Sequence, residues 1–178
     1  MALDLKDVNN ASSFLERLKS AGMFSYKDVP PVNVEKICEK LGITVLFEDL
    51  GEMAREHGRD NVYGALIVSP EVTAIMVNDT DHYVRQRFTI AHELAHYVLH
   101  RDHDKPDEVF ISFRGASSPE ERQANRFAAD LLMPKDIVRE RHADKVLPLL
   151  WHLSEEFSVS QEAMRLQLES LGLRYYAA

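Results

Sequence analysis

Residues 92–96 read His-Glu-Leu-Ala-His. Two histidines four apart share one face of a helix, one turn from each other, so their imidazoles can converge on one tetrahedral metal ion. Glu93, next to His92, does not easily reach that ion but reaches a water held on it. Such a set performs metal-assisted hydrolysis. The metal brings the pKa of its water towards ~7. Glu93 takes the proton as the hydroxide attacks a carbonyl, and then carries it onward.

A five-residue pattern also arises by chance, on helices whose charged residues merely face water. The surrounding residues oppose that reading here. Ile90, Ala91, Leu94, Ala95, Val98 and Leu99 make the segment apolar over much of its circumference. A largely buried helix leaves two imidazoles and a carboxylate in need of partners, because unpaired buried polar groups are costly. A metal supplies them.

Two protein ligands do not complete such a site. His100 lies another four residues on, but from His92 that is roughly 12 Å of rise, too far for three imidazoles to meet at ~2 Å. His100 is expected to pack at the helix end, where it favours the dipole. His103 would need a tight turn. Glu121 is preferred. It sits one turn before Ala124, a small residue that permits close helix approach, and Asn125 faces the same way, able to hydrogen-bond an imidazole N–H. The competing view treats Glu120, Glu121 and Arg122 as a solvated first turn, with Glu120 as the local rival, turned elsewhere.

These residues need elements to hold them. A helix from about Tyr83 to His100 carries the first group, and a second from Ser117 or Ser118, with Pro119 in its first turn, to about Leu132 carries Glu121. Upstream, Ser13 and Glu16 suggest a capping box, and Asn33 caps a helix through Val34, Ile37, Cys38 and Leu41, stopped by Gly42. Ile43 to Phe47, Val62–Val68, Val72–Val77 and Val109 to Phe113 read as strands, with 48–61 as a loop or irregular turn. Asn78–Asp81 ends a strand and can cap the next helix. Residues 143–172 read as two helical pieces broken around Phe157–Ser160. The order of elements gives an α+β fold. Three parts are expected: an N-terminal helical segment over 1–29, a core over 30–142 and a helical C-terminal extension over 143–178.

Composition narrows the class. The chain has 178 residues, 45% of them hydrophobic, enough for one core without staples. Cys38 is the only cysteine, which excludes an internal disulfide and a thiolate cluster, and its apolar neighbours make it a small buried hydrophobe. The start, MALDLKDVNN, is neither basic nor apolar enough for a signal peptide, and no stretch is long enough to span a membrane, so a cytoplasmic protein is expected. The net charge of −8 opposes broad nucleic-acid binding.

RQRFTIAHELAHYVLH at 85–100 and ERQANRFAADLLMP at 121–134 resemble the ImmA/IrrE family of bacterial and phage zinc-dependent metallopeptidases, as does PVNVEKICEKLGI at 31–43. The resemblance covers roughly residues 30–135. It implies a zincin-like fold, with a small, mostly antiparallel sheet packed against the helix of His92 and His96, and an edge strand near Val72–Val77 able to hold an extended peptide. It implies Zn2+ on His92, His96 and Glu121, with Glu93 as catalytic base. Gln123 departs from it, since the family often has an acid there, and so does Ala95, often Gly. The chain is expected to lack the sensor-like domain of some relatives.

The implied function is that of a zinc endopeptidase of narrow specificity, cleaving a helix-turn-helix transcriptional repressor or an antitoxin-like regulator. The alternative is a metal-stabilised protein that binds such a regulator without cutting it, as an antirepressor does. A DNA-binding regulator is a third reading. The segment at 153–172 resembles part of a helix-turn-helix, but its second helix holds Glu162 and Glu169 against one basic residue, Arg165, so packing or partner docking is expected rather than direct DNA binding. Trp151 is expected to anchor this part to the core. Arg85 and Arg87 are expected to pair with Asp79 and Asp81 or to meet a substrate carboxylate. His82 or Tyr83 can stabilise an oxyanion, and Phe113 and Arg114 can line the cleft. Manganese or iron could occupy the same ligands.

Overall fold

A computed structural model describes residues 3–58, 62–102, 105, 107–113 and 118–177, the side chains of Asp28 and Phe113 excepted. Among them are α1 (Ala11–Ser20), α2 (Val34–Lys40), β1 (Thr44–Glu48), α3 (Gly51–Glu56), β2 (Val62–Val68), β3 (Thr73–Asn78) and α4 (Tyr83–Leu99). Then follow β4 (Glu108–Phe113), α5 (Pro119–Leu132), α6 (Lys135–Ala143), α7 (Leu150–Phe157) and α8 (Gln161–Ser170). The architecture is α+β, as the element order implies.

The strands form one mixed sheet in the order β1-β3-β2-β4. β1 runs parallel to β3, while β2 is antiparallel to both of its neighbours. This corrects the strand assigned to an edge. The Val72–Val77 segment falls in β3, which β1 and β2 flank, so its backbone groups are already paired. β4 and β1 are the edges. The tight turn at Ser69 makes β2 and β3 neighbours. What lies on their outer sides is set by tertiary packing, which local sequence does not show.

The sheet's apolar side chains are divided between two layers. Leu66, Val68, Ile75 and Val77 join the main core with Ile90, Leu94 and Val98 of α4. Val62, Met76 and Ile111 join a smaller cluster with Leu50, Met53 and Ala54. That second layer is α3, in the segment expected to be a loop or irregular turn. Its signal is the spacing of Leu50, Met53 and Ala54, and Asp49 accepts the Gly51 N–H at its start. The main core also takes Phe14 and Leu18 of α1 and Phe157 and Leu168 of α7 and α8.

Helix starts follow their side chains. Ser118 caps α5 by accepting from the Glu121 N–H, with Pro119 in the first turn, as expected. α4 starts two residues after Asp81, at the end of the Asn78–Asp81 turn, capped by His82, whose Nδ1 accepts from Val84. α1 starts earlier than expected. Asn10 is its cap and Ser13 the reciprocal partner three residues in, so the capping box lies one turn upstream of the Ser13–Glu16 pair. Cys38 is fully buried, and burial pushes its thiol up to about 12.

Candidate metal centre

α4 sits against the sheet, and on its buried face lie Thr89, His92, Glu93 and His96. One small residue permits this approach. A Cβ at Gly64 of β2 would meet Thr89 Cγ2 at 2.4 Å and the Met76 carbonyl at 2.8 Å, and would stand 3.4 Å from Glu93 Oε1. Any side chain there would push α4 off the strand. An isolated glycine in an apolar strand is a sequence signal of such close backbone approach.

α5 packs across α4 and brings Glu121 to the histidines. Glu121 Oε2 lies 3.3 Å from His92 Nε2, and Oε1 lies 3.3 Å from His96 Nε2. The two imidazole Nε2 atoms are 3.1 Å apart. One ligand atom from each of the three residues falls within 4.8 Å of the others, so the group can hold a metal ion. Asn125 Oδ1 lies 3.0 Å from His92 Nδ1, where it accepts the ring N–H and leaves Nε2 to the cluster. Glu120 is exposed. His100 terminates α4, its backbone N–H bonded to the His96 carbonyl. His103 and Arg114 lie outside the described residues, as does the side chain of Phe113.

Electrostatics separates the two glutamates. Close contact with His92 and then His96 holds the Glu121 carboxyl well below the usual carboxylate range, so it stays ionised. Burial works against the charged form of both imidazoles. At His92 the close Glu121 carboxylate and the nearby Glu93 outweigh burial and the pKa rises; at His96 burial wins and the pKa falls. Glu93 is fully buried, and neither carboxylate oxygen has a hydrogen-bond partner. Burial pushes it up to about 7, while His92 and the Ser112 hydroxyl pull in the other direction. Ser112 does so by proximity, without hydrogen-bond geometry of its own.

The donor set passes a chemical test for a divalent ion. Two imidazole nitrogens and an ionised carboxylate converge, and beside them stands a carboxyl whose two oxygens no donor among the described residues satisfies. Two imidazoles and a carboxylate suit zinc, and also manganese or iron.

Other expectations resolve differently. Arg87 is buried and donates to the Val32 and Ser158 carbonyls rather than to Asp79 or Asp81, tying α4 to the α7–α8 turn. Arg85 lies over the Tyr63 ring, 4.8 Å from its centroid. Trp151 is 40% exposed and stacks on His152; Leu150, Leu153 and Phe157 anchor α7 instead. The ring of Phe110, on edge strand β4, stacks on His96 at 5.3 Å. Among the described residues, the sheet edge beside the cluster is thus β4. A cleft of about 790 Å³, lined by Phe88, Asn125, Ala129, Ala163 and Leu166 among others, opens between α4, α5 and α8.

A small sheet, a helix presenting two histidines and a glutamate, and a carboxylate from the next helix define the zincin-like class of metallopeptidase folds. Residues 38–169 match the Peptidase_M78 family, described as an IrrE N-terminal-like domain, and the chain belongs to that family. It is 33% identical over 99 residues to the radiation response metalloprotease IrrE of Deinococcus deserti, covering 54% of this chain and 31% of that protein. It is 34% identical over 73 residues to the protein of the same name in Deinococcus radiodurans, covering 40% of this chain and 22% of the relative. Against the metallopeptidase ImmA of Bacillus subtilis it is 28% identical over 124 residues, 70% of this chain and 64% of that one. The chain therefore spans less than two thirds of the length of each. Among the described residues no helix is long and apolar enough to cross a membrane.

Proposed function

We propose that the chain is a cytoplasmic zinc endopeptidase of narrow specificity, with His92, His96 and Glu121 as metal ligands and Glu93 as general base. The observation that carries the reading is Glu93. A fully buried carboxyl with both oxygens unpartnered is destabilising, and a purely structural ion held by the other three residues has no use for it. Its pKa of about 7 suits a group that must both take and release a proton near neutrality.

Zinc, when bound, supplies the Lewis acid that polarises a carbonyl and acidifies water. Glu93 accepts the proton of the water attacking the peptide carbonyl and passes it to the departing nitrogen. Asn125 keeps His92 in its ligating tautomer. The buried surroundings strengthen these interactions by excluding bulk water. An extended peptide pairing with the edge of β4 would lie beside His96, and the apolar cleft beyond Asn125 suits a peptide side chain.

The target proposed is a helix-turn-helix repressor or an antitoxin-like regulator. The names of the relatives support proteolysis, and two of them tie it to a radiation response. The net charge of −8 supports a protein partner over DNA. Zinc-loaded protein incubated with the repressor encoded nearest its gene, followed by intact-mass measurement, tests this. The expected result is cleavage at one bond, stopped by chelation and by Glu93→Gln. An intact repressor after prolonged incubation, with binding demonstrated, would replace this reading with the non-cutting antirepressor.

A further inference from the structure

His100 is the histidine that the three-residue cluster leaves out, yet both of its ring nitrogens are engaged. Nδ1 lies 2.9 Å from His96 Nδ1, and Nε2 lies 3.1 Å from Gln123 Oε1. An amide oxygen only accepts, so His100 carries its hydrogen on Nε2 and, as a neutral ring, presents a lone pair at Nδ1. With His100 Nδ1 as the acceptor, the hydrogen between the two rings is donated by His96 Nδ1. The neutral His96 ring is then left with a lone pair on Nε2. That is the atom facing His92 Nε2 at 3.1 Å and Glu121 Oε1 at 3.3 Å. One chain of contacts thus runs from an exposed amide to a buried nitrogen.

We propose that Gln123, acting through His100, is a positioning residue for His96, holding it in the tautomer whose Nε2 is free to bind metal. The inference rests on the metal role assigned above to His96. His92 receives the same support in one step, from Asn125. Glu121, Gln123 and Asn125 all belong to α5, so one helix supplies the third ligand and fixes the tautomers of the other two. Turning the Gln123 amide over would reverse every link. The amide NH2 would donate to His100 Nε2, His100 Nδ1 would donate to His96, and His96 Nε2 would carry a hydrogen that opposes a metal.

Long-range proton–nitrogen correlation spectra of the full chain, stripped of metal and kept at mildly alkaline pH, read the tautomers directly. The expected result is hydrogen on Nε2 of His100 and on Nδ1 of His96; hydrogen on Nδ1 of His100 would overturn the proposal. Competition with a chelator for zinc supplies the second readout. Gln123→Met, of similar shape but unable to hydrogen-bond, is expected to lose roughly 10-fold in zinc affinity and to show mixed His100 tautomers, with its unfolding midpoint unchanged. Gln123→Glu, still an acceptor, is expected to keep the wild-type tautomers and bind zinc at least as tightly. Zinc affinity independent of residue 123 sinks this role alone. Wild-type protein that binds no zinc at all sinks the functional reading of the site, and this role with it.

Discussion

Two helix pairs in this chain use their contacts in opposite ways. α4 and α5 carry fully buried alanines, Ala91, Ala95, Ala124 and Ala128, and bring His92, Glu93, His96 and Glu121 to one place. α7 and α8 bury Leu153, Phe157, Met164 and Leu168, while the charges of α8 pair outside, Arg165 reaching Glu162 at 2.6 Å and Glu169 at 2.7 Å. Small residues let backbones approach so that polar side chains from both helices reach one point. Large apolar residues fill the space themselves. A buried polar group without a partner costs about 1–3 kcal/mol, and Glu93 keeps two such oxygens. The first pair thus retains a destabilising group, which the proposed role of Glu93 as general base accounts for, and the second contributes packing.

Substitutions can break that contrast in order of effect. Glu93→Gln is expected to lower peptide cleavage by about 10²–10⁴-fold with metal content unchanged; a rate assay beside elemental analysis checks both. In the proposed site Glu121 is a ligand rather than a support, so Glu121→Ala should lower zinc affinity by more than the roughly 10–100-fold that loss of a supporting hydrogen bond costs, measured by chelator competition. Gly64→Ala drives a Cβ against Thr89 and the Met76 carbonyl. It should destabilise the fold by about 1–3 kcal/mol in denaturant titration, and a neutral result would mean that α4 has room to move.

A pH series sharpens the comparison further. In protein stripped of metal, Glu93 has a pKa raised from 4.5 to about 7, so the folded state binds the proton more tightly than the unfolded chain does. Its contribution favours folding below the unfolded value and is lost progressively as pH rises towards 7. The wild type minus Glu93→Gln difference in stability should therefore fall across that window. A flat difference would show that Glu93 is solvated. The smallest effect belongs to the other pair. Arg165→Ala should leave zinc content unchanged and barely move the unfolding midpoint, since the α8 ion pairs are exposed and screened. A large loss there would make α8 more than a packed helix with a charged outer face.

The same contrast governs what the sequence reveals. His92 with His96, and Glu121 with Asn125, are each four apart, and helical periodicity fixes their relative placement with no knowledge of the rest of the fold. Close packing of α4 against α5 then makes them converge. The sheet order did not follow, because β1 beside β3 and β4 beside β2 are pairings between distant segments. The peptide-holding edge that the family resemblance implies at Val72–Val77 is therefore an inner strand, and the edge beside the cluster is β4. The link from Gln123 to His100 spans 23 residues and two elements, so spacing cannot announce it. Trp151 misled by size alone: large aromatics dominate cores on average, whereas the turn of α7 buries its neighbours Leu150 and Leu153 and leaves the indole half in water. Gly64 was legible, as the one residue without a side chain in an apolar strand.

The most direct test of the central claim is diffraction at the zinc absorption edge from crystals grown with zinc. The account predicts an anomalous peak bonded by His92 Nε2, His96 Nε2 and a Glu121 oxygen, with the Glu93 carboxyl close by but outside the bonding sphere. A peak held by other residues, or bonded directly by Glu93, or no peak in a zinc-saturated crystal, would contradict it.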